Sequence, residues 1–596
     1  MAGNRTSASQ FGRRNPIAAC LATTFALATP VATLAATVTS CLDDGGGGTL
    51  RSVIAAAAEG ATIDFSVACV PATITLANTS IAILQNSLTI DASGAPNQVS
   101  VDASALSHPY SDSRVFSHYG NGTLTIKSVD VENGYVMHYS LPSFGGCISS
   151  GGNVVLSDAT VTNCQVVNLG YSQPALGGGV FANGNLTLQN STVSYSSTNA
   201  VGSTKSAGGG VWVYGYLSLD NGTISHNSAT ANSNAAAGGG AYVNGNANGF
   251  GYIARNEVKS TDGSAIGGGI HTRGKLYAPT AFIKYNSATS TNTSAIGGGF
   301  YAVSDTTFQT QSVIKGNSVD GASSFGGGGF TYGDFASSYS SIKYNVAKGP
   351  FAFGGGLVLK GANNAIMAST ISGNQAYYNI GGLEVYGVTP ATTALKIVNS
   401  TISGNSSSGV SGGVYSNAGT TKLYNSTFAF NSAGIAAPGV QLGTFGSAMA
   451  ATLKSNLFIY NTVGLSADDF NVVGPNALTI NGGNLATAAK NLVGATSFPT
   501  SSLPNDTLIG VCPRLGKLKD NGGLTYTHAL FSGSPAIDNG NDSYGALYDQ
   551  RGKASVNGDA DYTRFSGLGA IADIGAYEVQ QNNIIFNANF EGCPLL

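Results

Sequence analysis

The chain predicts an all-β fold, a parallel β-solenoid with a short N-terminal capping helix, and three observations carry that expectation. Glycine clusters end at Gly146, Gly179, Gly210, Gly240, Gly269, Gly299, Gly329, Gly356, Gly382 and Gly413, in steps of 26 to 33 residues. An aliphatic-x-x-Asn signature follows them from Ile224 to Asn227 through Phe458 to Asn461. Residues one and three after a cluster are apolar, as in Val211 and Val213, which is the alternation of a strand. Periods of this length mark stacked units.

Within a unit, short alternating runs such as Leu186-Thr187-Leu188 are separated by Gly, Asn and Ser, and no 3.6-residue pattern persists. About three short strands per unit are expected. A unit that cannot bury its own inner face stacks on its neighbours, with backbone hydrogen bonds between coils about 4.8 Å apart. Asparagine tolerates left-handed backbone, and its amide both donates and accepts. Asn227, Asn256, Asn286, Asn317, Asn345, Asn374, Asn405, Asn431 and Asn461 are therefore expected to form a structural ladder, with Cys164 and Ser196 at the same position in the earliest coils. Glycine supplies positive φ at another corner.

In chain order, residues 1–35 read as an export signal: Arg5, Arg13 and Arg14 precede an uncharged stretch that ends in a Thr33-Leu34-Ala35 cleavage site. Residues 36–140 are the N-terminal cap and first coils, with a helix over Thr49–Glu59 between a Thr49 N-cap and a Gly60 C-cap. Residues 141–489 are the regular repeats, 490–579 a closing domain and 580–596 a tail with the character of a sorting tag. Roughly 14 coils give a rod about 65 Å long. No later segment is apolar enough for a transmembrane span. The cysteines that survive cleavage are even in number, which suggests disulfides. Spacing proposes Cys41 with Cys69, Cys147 with Cys164 and Cys512 with Cys593, although connectivity is not fixed by sequence. The alternative for Cys147 and Cys164 is that they are buried small residues. No zinc-ligand spacing occurs.

The glycine clusters and aromatic-or-aliphatic-x-x-Asn marks over residues 145–465 resemble the repeats of the polymorphic outer membrane proteins. That resemblance implies a right-handed parallel β-helix, the pectate-lyase-like architecture, on a bacterial surface. Thr49-Leu50-Arg51-Ser52-Val53-Ile54 looks like the opening motif of secreted β-helices, although Cys41 lies farther upstream than in that motif. Asp520-Asn521-Gly522-Gly523, Ser534-Pro535-Ala536-Ile537-Asp538, Asp549-Gln550-Arg551-Gly552 and Asp573-Ile574-Gly575-Ala576-Tyr577-Glu578 are similar to the choice-of-anchor Q domain, which closes a β-helix before a surface-sorting tail.

Charge is sparse, 9% of residues with a net of −3, and leaves no nucleic-acid footprint. A surface of Ser, Thr, Asn, Gly and aromatics suits neutral, hydroxyl-rich ligands or self-association. Two residues after each cluster lies an outward column: Phe181, Trp212, Tyr242, His271, Tyr301, Thr331, Val358, Glu384 and Tyr415. Trp212, Tyr242, His271, Tyr301 and Tyr415 are its candidate ligand-binding residues for a surface glycan or protein; the competing reading is that they only stabilise the sheet. Lys284, Lys315 and Lys343 form a short basic stripe, either a contact for an acidic polymer or a solvated face.

Polysaccharide lyases and glycoside hydrolases share this fold, and their chemistry needs acids converging on one face. Asp262, Asp305, Asp320, Asp334 and Glu384 do not share one repeat position, Asp468-Asp469 has no basic neighbour, and the histidines are scattered. A non-enzymatic reading is therefore preferred, with no catalytic residue and no metal site assigned. Asp520, Asp538, Asp549, Arg551, Asp573 and Glu578 read as a buried cap network, with calcium binding as the alternative and no other cofactor expected. The sequence thus points to a secreted or cell-surface adhesion or glycan-binding module. A purely structural rod and a polysaccharide-active enzyme are the alternatives.

Overall fold

The computed structural model describes residues 36–66, 73–95, 98–106, 112–202, 205–482, 490–541, 547–552, 563 and 572–580. The expected export signal, Cys69, Cys593 and the tail from residue 581 lie outside the described residues. The fold is an all-β right-handed parallel β-helix. Its strands stack into sheets of 29, 14, 8 and 14 members, almost all paired in parallel with the equivalent strand one coil away.

The regular coils hold four or five strands rather than three. In one coil these are Phe300–Ala302, Thr306–Phe308, Val313–Lys315, Ser318–Asp320 and Ser323–Phe325. The first, which we call the front strand, and the next two, which form the back sheet, enclose the main core. Phe300, Ala302, Phe308 and Ile314 point into it. Burying an aliphatic side chain of this size contributes about 2 kcal/mol, and the core runs unbroken from Val38 to Leu503.

The last two strands leave that core as a fin. They close on a second, narrow core of Ala229, Ala265, Ala288, Ala295, Val319, Ala347 and their equivalents. Such strands are short and carry Ser, Ala and Thr, so they lack the bulky alternation that announces a strand in sequence. The fin's inner sheet extends from Ser143–Phe144 to Phe351–Phe353 and then stops.

The neck of the fin explains both periodic marks at once. The chain leaves the core just after the ladder asparagine and returns through the glycine cluster, so two backbones pass each other there. The first glycine of a cluster takes positive φ, as at Gly267 (+67°) and Gly297 (+64°). A Cβ on the second, Gly298, would lie 2.4 Å from Ser318 O, and one on the third, Gly299, 3.0 Å from the Asn317 amide. Only hydrogen fits at either place.

The asparagines are not themselves the left-handed residues. Positive φ falls on the residue before each, including Tyr285 (+57°), Gly316 (+66°) and Tyr344 (+57°), which turns the amide inward. Asn286 Nδ2 then donates to Asn317 Oδ1 at 2.9 Å, Asn317 Nδ2 to Asn345 Oδ1 at 3.0 Å and Asn345 Nδ2 to Asn374 Oδ1 at 2.9 Å. The same bond links Asn227 to Asn256 and on to Asn286, and Asn374 through Asn405 and Asn431 to Asn461. Each Nδ2 also donates to a backbone carbonyl, and each Oδ1 accepts a backbone N–H, as in Asn317 Nδ2 to Ile283 O and Asn286 N to Asn317 Oδ1. All four valences of a buried amide are met. A second file runs along the other back-sheet corner, where Ser340, Ser369, Ser400, Ser426, Asn456 and Asn491 receive or pass backbone bonds in turn.

At the N-terminal end the helix is Leu50–Ala56, shorter than expected. Thr49 caps it, and Gln85 Nε2 takes the carbonyls of Ile54 and Ala57, which ends the helix before Gly60. Leu50 and Ile54 cover the open core, and Arg51 is clamped by Asp43 at 2.8 Å. At the other end Phe498 and Leu503 pack over the last coil. The described residues between 512 and 580 lie along the side of the final coils: Leu515, Leu530, Ile574 and Tyr577 pack on Ala429, Leu457 and Ile459. The outward residues of Thr370–Ser372, Thr401–Ser403, Thr427–Ala429 and Leu457–Ile459 are buried there, whereas those of Ser341–Lys343 are half-exposed. No helix among the described residues is long and apolar enough to cross a membrane.

Candidate functional site

In the angle between the front strands and the fin's inner sheet, side chains of both pack together, and at its N-terminal end they line a groove of about 420 Å³ beside Phe144 and Phe181. Register places Phe181, Trp212, Tyr242, His271, Tyr301 and Phe330 on successive front strands. Phe330 takes the place expected for Thr331. The extra glycine at Gly329 pairs with Phe300 and shifts the strand by one, so Thr331 points inward and is buried. Phe144 on the fin stacks on Phe181 at 4.7 Å, and Leu176, Ala207, Ala237 and Ile266 pack against Trp212 and Tyr242.

The rings form one continuous file. Centroid distances are 4.8 Å for Phe181–Trp212, 6.3 Å for Trp212–Tyr242, 4.6 Å for Tyr242–His271, 4.8 Å for His271–Tyr301 and 5.5 Å for Tyr301–Phe330. Lys205 Nζ, from the fin, lies 3.9 Å from the Tyr242 ring centroid. Tyr415 stands apart, because Val358 and Glu384 fill the two intervening coils. Beside the file is a rim of exposed tyrosines, Tyr214, Tyr216, Tyr332 and Tyr386.

Three polar atoms of this row are shielded from solvent without a hydrogen-bond partner: His271 Nδ1, Glu384 Oε2 and Gln441 Oε1. Burial pushes His271 down to about 3, with Lys205 and Arg273 adding to it, so the imidazole is neutral. Burial raises Glu384 to about 7 against the opposing pull of Lys360, and raises Tyr301 and Tyr415 to about 12.

Another cleft, of about 630 Å³, lies on the back sheet, lined by Asp305, Asp334, Asn363, Lys396 and Lys422 among others. Asp305 and Asp334 do align: they precede paired strands, and Asp334 N donates to Asp305 Oδ1 at 3.2 Å. The spacing between clusters differs by a residue here, which hid the alignment in the sequence. Asp334 is further held by Asn363 N and Nδ2, and Asp305 by Lys275 at 3.0 Å. Asp262, Asp320 and Glu384 lie elsewhere. Asp468 and Asp469 accept backbone N–H groups from Ser497 and Ala495 and close the end of the solenoid.

Along the C-terminal flank, Arg551 and Asp549 form a fully buried pair at 2.7 Å. Arg551 also donates to Glu578 O and lies over the Tyr577 ring at 3.9 Å. Asp549 accepts from Glu578 N, Glu578 from Asp573 N, and Asp573 from Asp538 N and Val579 N. Asp520 is exposed and accepts from Gly522 N in its own turn. Sequence reasoning missed Gln550, buried and bonded to Thr370, Thr401 and Thr525. Among the described residues no group of three or more His, Cys, Asp or Glu is placed to hold a metal ion. Cys147 and Cys164 form a disulfide, and Cys41 and Cys512 are each disulfide-bonded.

No protein-family model matches the chain, and no curated protein matches it in sequence.

Proposed function

We propose that this protein is an exported bacterial surface module whose aromatic groove and tyrosine rim bind a hydroxyl-rich glycan or a partner protein. The observation that carries the reading is the file from Phe181 to Phe330 with the rim of exposed Tyr214, Tyr216, Tyr332 and Tyr386 beside it. The exposed rings of Tyr214, Tyr332 and Tyr386 beside the file offer faces for stacking on sugar rings. Among the described residues fifteen tyrosines are exposed, so the outer surface has the rigid, amphipathic composition of recognition loops. The resemblance of the repeats to polymorphic outer membrane proteins, that of the end to choice-of-anchor Q domains, and the export-type N-terminus support display outside the cell. Oxidised cysteines agree with that compartment.

Fractionation of producing cells tests the location, and a glycan array probed with the purified chain tests binding. A Tyr214, Tyr332 and Tyr386 to Ser variant leaves the buried rings in place and is expected to lose array signal at least tenfold. A second reading, a structural rod, is favoured by the ring separations of 4.6 to 4.8 Å, since cross-coil stacking itself stabilises the sheet. Unchanged array signal in the rim variant, or no signal in either protein, decides for the rod.

A further inference from the structure

At the corner where the back sheet passes into the fin, on the side away from the groove, Lys284 pairs in register with Lys315 and Lys315 with Lys343. Three cations therefore stand above one another at the strand spacing of about 4.8 Å. Among the described residues no carboxylate forms an ion pair with any of them, whereas Lys259 and Lys275 nearby are paired with Glu257 and Asp305. Like charges directly opposite destabilise a sheet. Burial and then the neighbouring lysines lower Lys284 and Lys343 below the ordinary lysine value, as expected of an uncompensated file.

Rings lie beside the cations. Lys284 Nζ is 4.4 Å from the Phe282 centroid, Lys315 Nζ is 5.7 Å from Tyr285 and 5.9 Å from Tyr344, and Lys343 Nζ is 4.9 Å from Tyr526. The tyrosines are held in place by the backbone itself. A Cβ at Gly316 would lie 2.7 Å from the Tyr285 ring, and one at Gly373 would lie 2.7 Å from the Tyr344 ring. Each ring thus packs its Cδ1–Cε1 edge against a glycine one coil on and stays about half exposed, Tyr285 at 48% and Tyr344 at 57%. Cations at a regular rise, with rings beside them fixed before any ligand arrives, make a preorganised surface.

We infer that this file is a binding site for a linear acidic polysaccharide with one carboxylate per sugar ring, laid along the solenoid axis. Carboxylates meet the lysines in successive coils, and sugar faces stack on Tyr285 and Tyr344. The site is separate from the groove and does not depend on it. Nucleic acid is the poorer fit, because three cations on a chain of net charge −3 fall short of the basic footprint that phosphate binding needs.

The test titrates the full chain with polygalacturonate oligomers, their fully methyl-esterified counterparts and a single-stranded oligonucleotide of equal charge. The acidic oligomer is expected to bind, to weaken about tenfold when salt rises from low to physiological strength, and to outbind the other two. A Lys284, Lys315 and Lys343 to Gln variant is expected to lose binding at least tenfold. A Tyr285→Ser and Tyr344→Ser variant keeps every charge and is also expected to weaken it. Equal binding of the oligonucleotide, undiminished binding of the ester, or no binding to the acidic oligomer overturns the proposal. So does affinity that survives in the Gln variant, or in a Tyr variant whose melting temperature matches the parent.

Discussion

The carboxylate of Asp469 ends the file that begins at Asn227: Asn461 Nδ2 donates to Asp469 Oδ1 at 2.7 Å, and Ala495 N donates to its Oδ2 at 2.7 Å. A ladder of amides passes each donated bond to the next coil, so its last member needs an acceptor that no further coil provides. Burial raises Asp469 to about 6 from an ordinary 3.8, against the lowering effect of these bonds.

That shift gives a pH dependence of definite sign. The folded state binds the proton more tightly than the unfolded state, so the contribution of Asp469 to stability is largest below about pH 4 and declines as pH rises through about 6. The full swing is about 3 kcal/mol at most. An Asp469→Asn variant does not titrate, and its amide sets a donor against either Asn461 or Ala495. Its stability deficit relative to the parent is expected to shrink as pH is raised from 5 to 8. Denaturant melts of both proteins across that range measure it; a deficit that grows with pH contradicts the assignment.

The lock at the neck predicts that two quite different substitutions fail in the same way. Asn317→Ala orphans the donor and acceptors that Asn286, Asn345 and Ile283 present to it, each costing about 1–3 kcal/mol when buried. Gly299→Ala places a methyl 2.4 Å from Gly328 O, which the backbone must move to relieve. Both are expected to lower stability by about 3 kcal/mol or more. Because a solenoid is held by nearest-neighbour contacts, hydrogen exchange should rise first in the coils on either side.

These same residues show why part of the fold was legible. Gly299 and Asn317 are dictated by backbone crowding and by amide valence, so the same residues recur coil after coil and the period stands out. The fin was hidden, because Ser318–Asp320 and Ser323–Phe325 close on alanine and serine and carry little hydrophobic signal. The serine file was hidden for another reason: Ser369 and Ser400 look like any surface serine until the coils are stacked. A single extra glycine at Gly329 was enough to misplace the groove residue by one. In Asp468-Asp469 the pair was visible but its duty was not, since an acceptor at the end of a ladder has no repeat to announce it.

The Cys147–Cys164 bridge spans the neck within one coil near the start of the fin, closing a loop of 17 residues. A loop of that length restricts the unfolded chain by about 3 kcal/mol in the entropic account. Cys147→Ala with Cys164→Ser is expected to lower stability by up to that amount while leaving the Asn227–Asn461 ladder intact. The serine hydroxyl is expected to take over the position held by Ser196 in the next coil. Mass mapping without reductant checks the bridge, and melting of the variant checks its contribution.

Arg551 gives the sharpest test of how the C-terminal flank is held. Its guanidinium and the Asp549 carboxylate are both fully buried, so neither is screened, and each satisfies the other. Removing one partner of such a pair costs about 3–5 kcal/mol, because the remaining charge stays in a dry site. Arg551→Met therefore is expected to loosen this flank from the back sheet, although Leu515, Leu530 and Tyr577 still offer apolar contact there. The exposed Lys519 and Arg514 then become trypsin sites at protein concentrations where the parent resists. Adding Asp549→Leu to Arg551→Met removes the stranded charge, and the double variant is expected to be more stable than Arg551→Met alone. If the second substitution lowers stability further, the pair is held by its hydrogen bonds to Glu578 and Asn521 and not by charge.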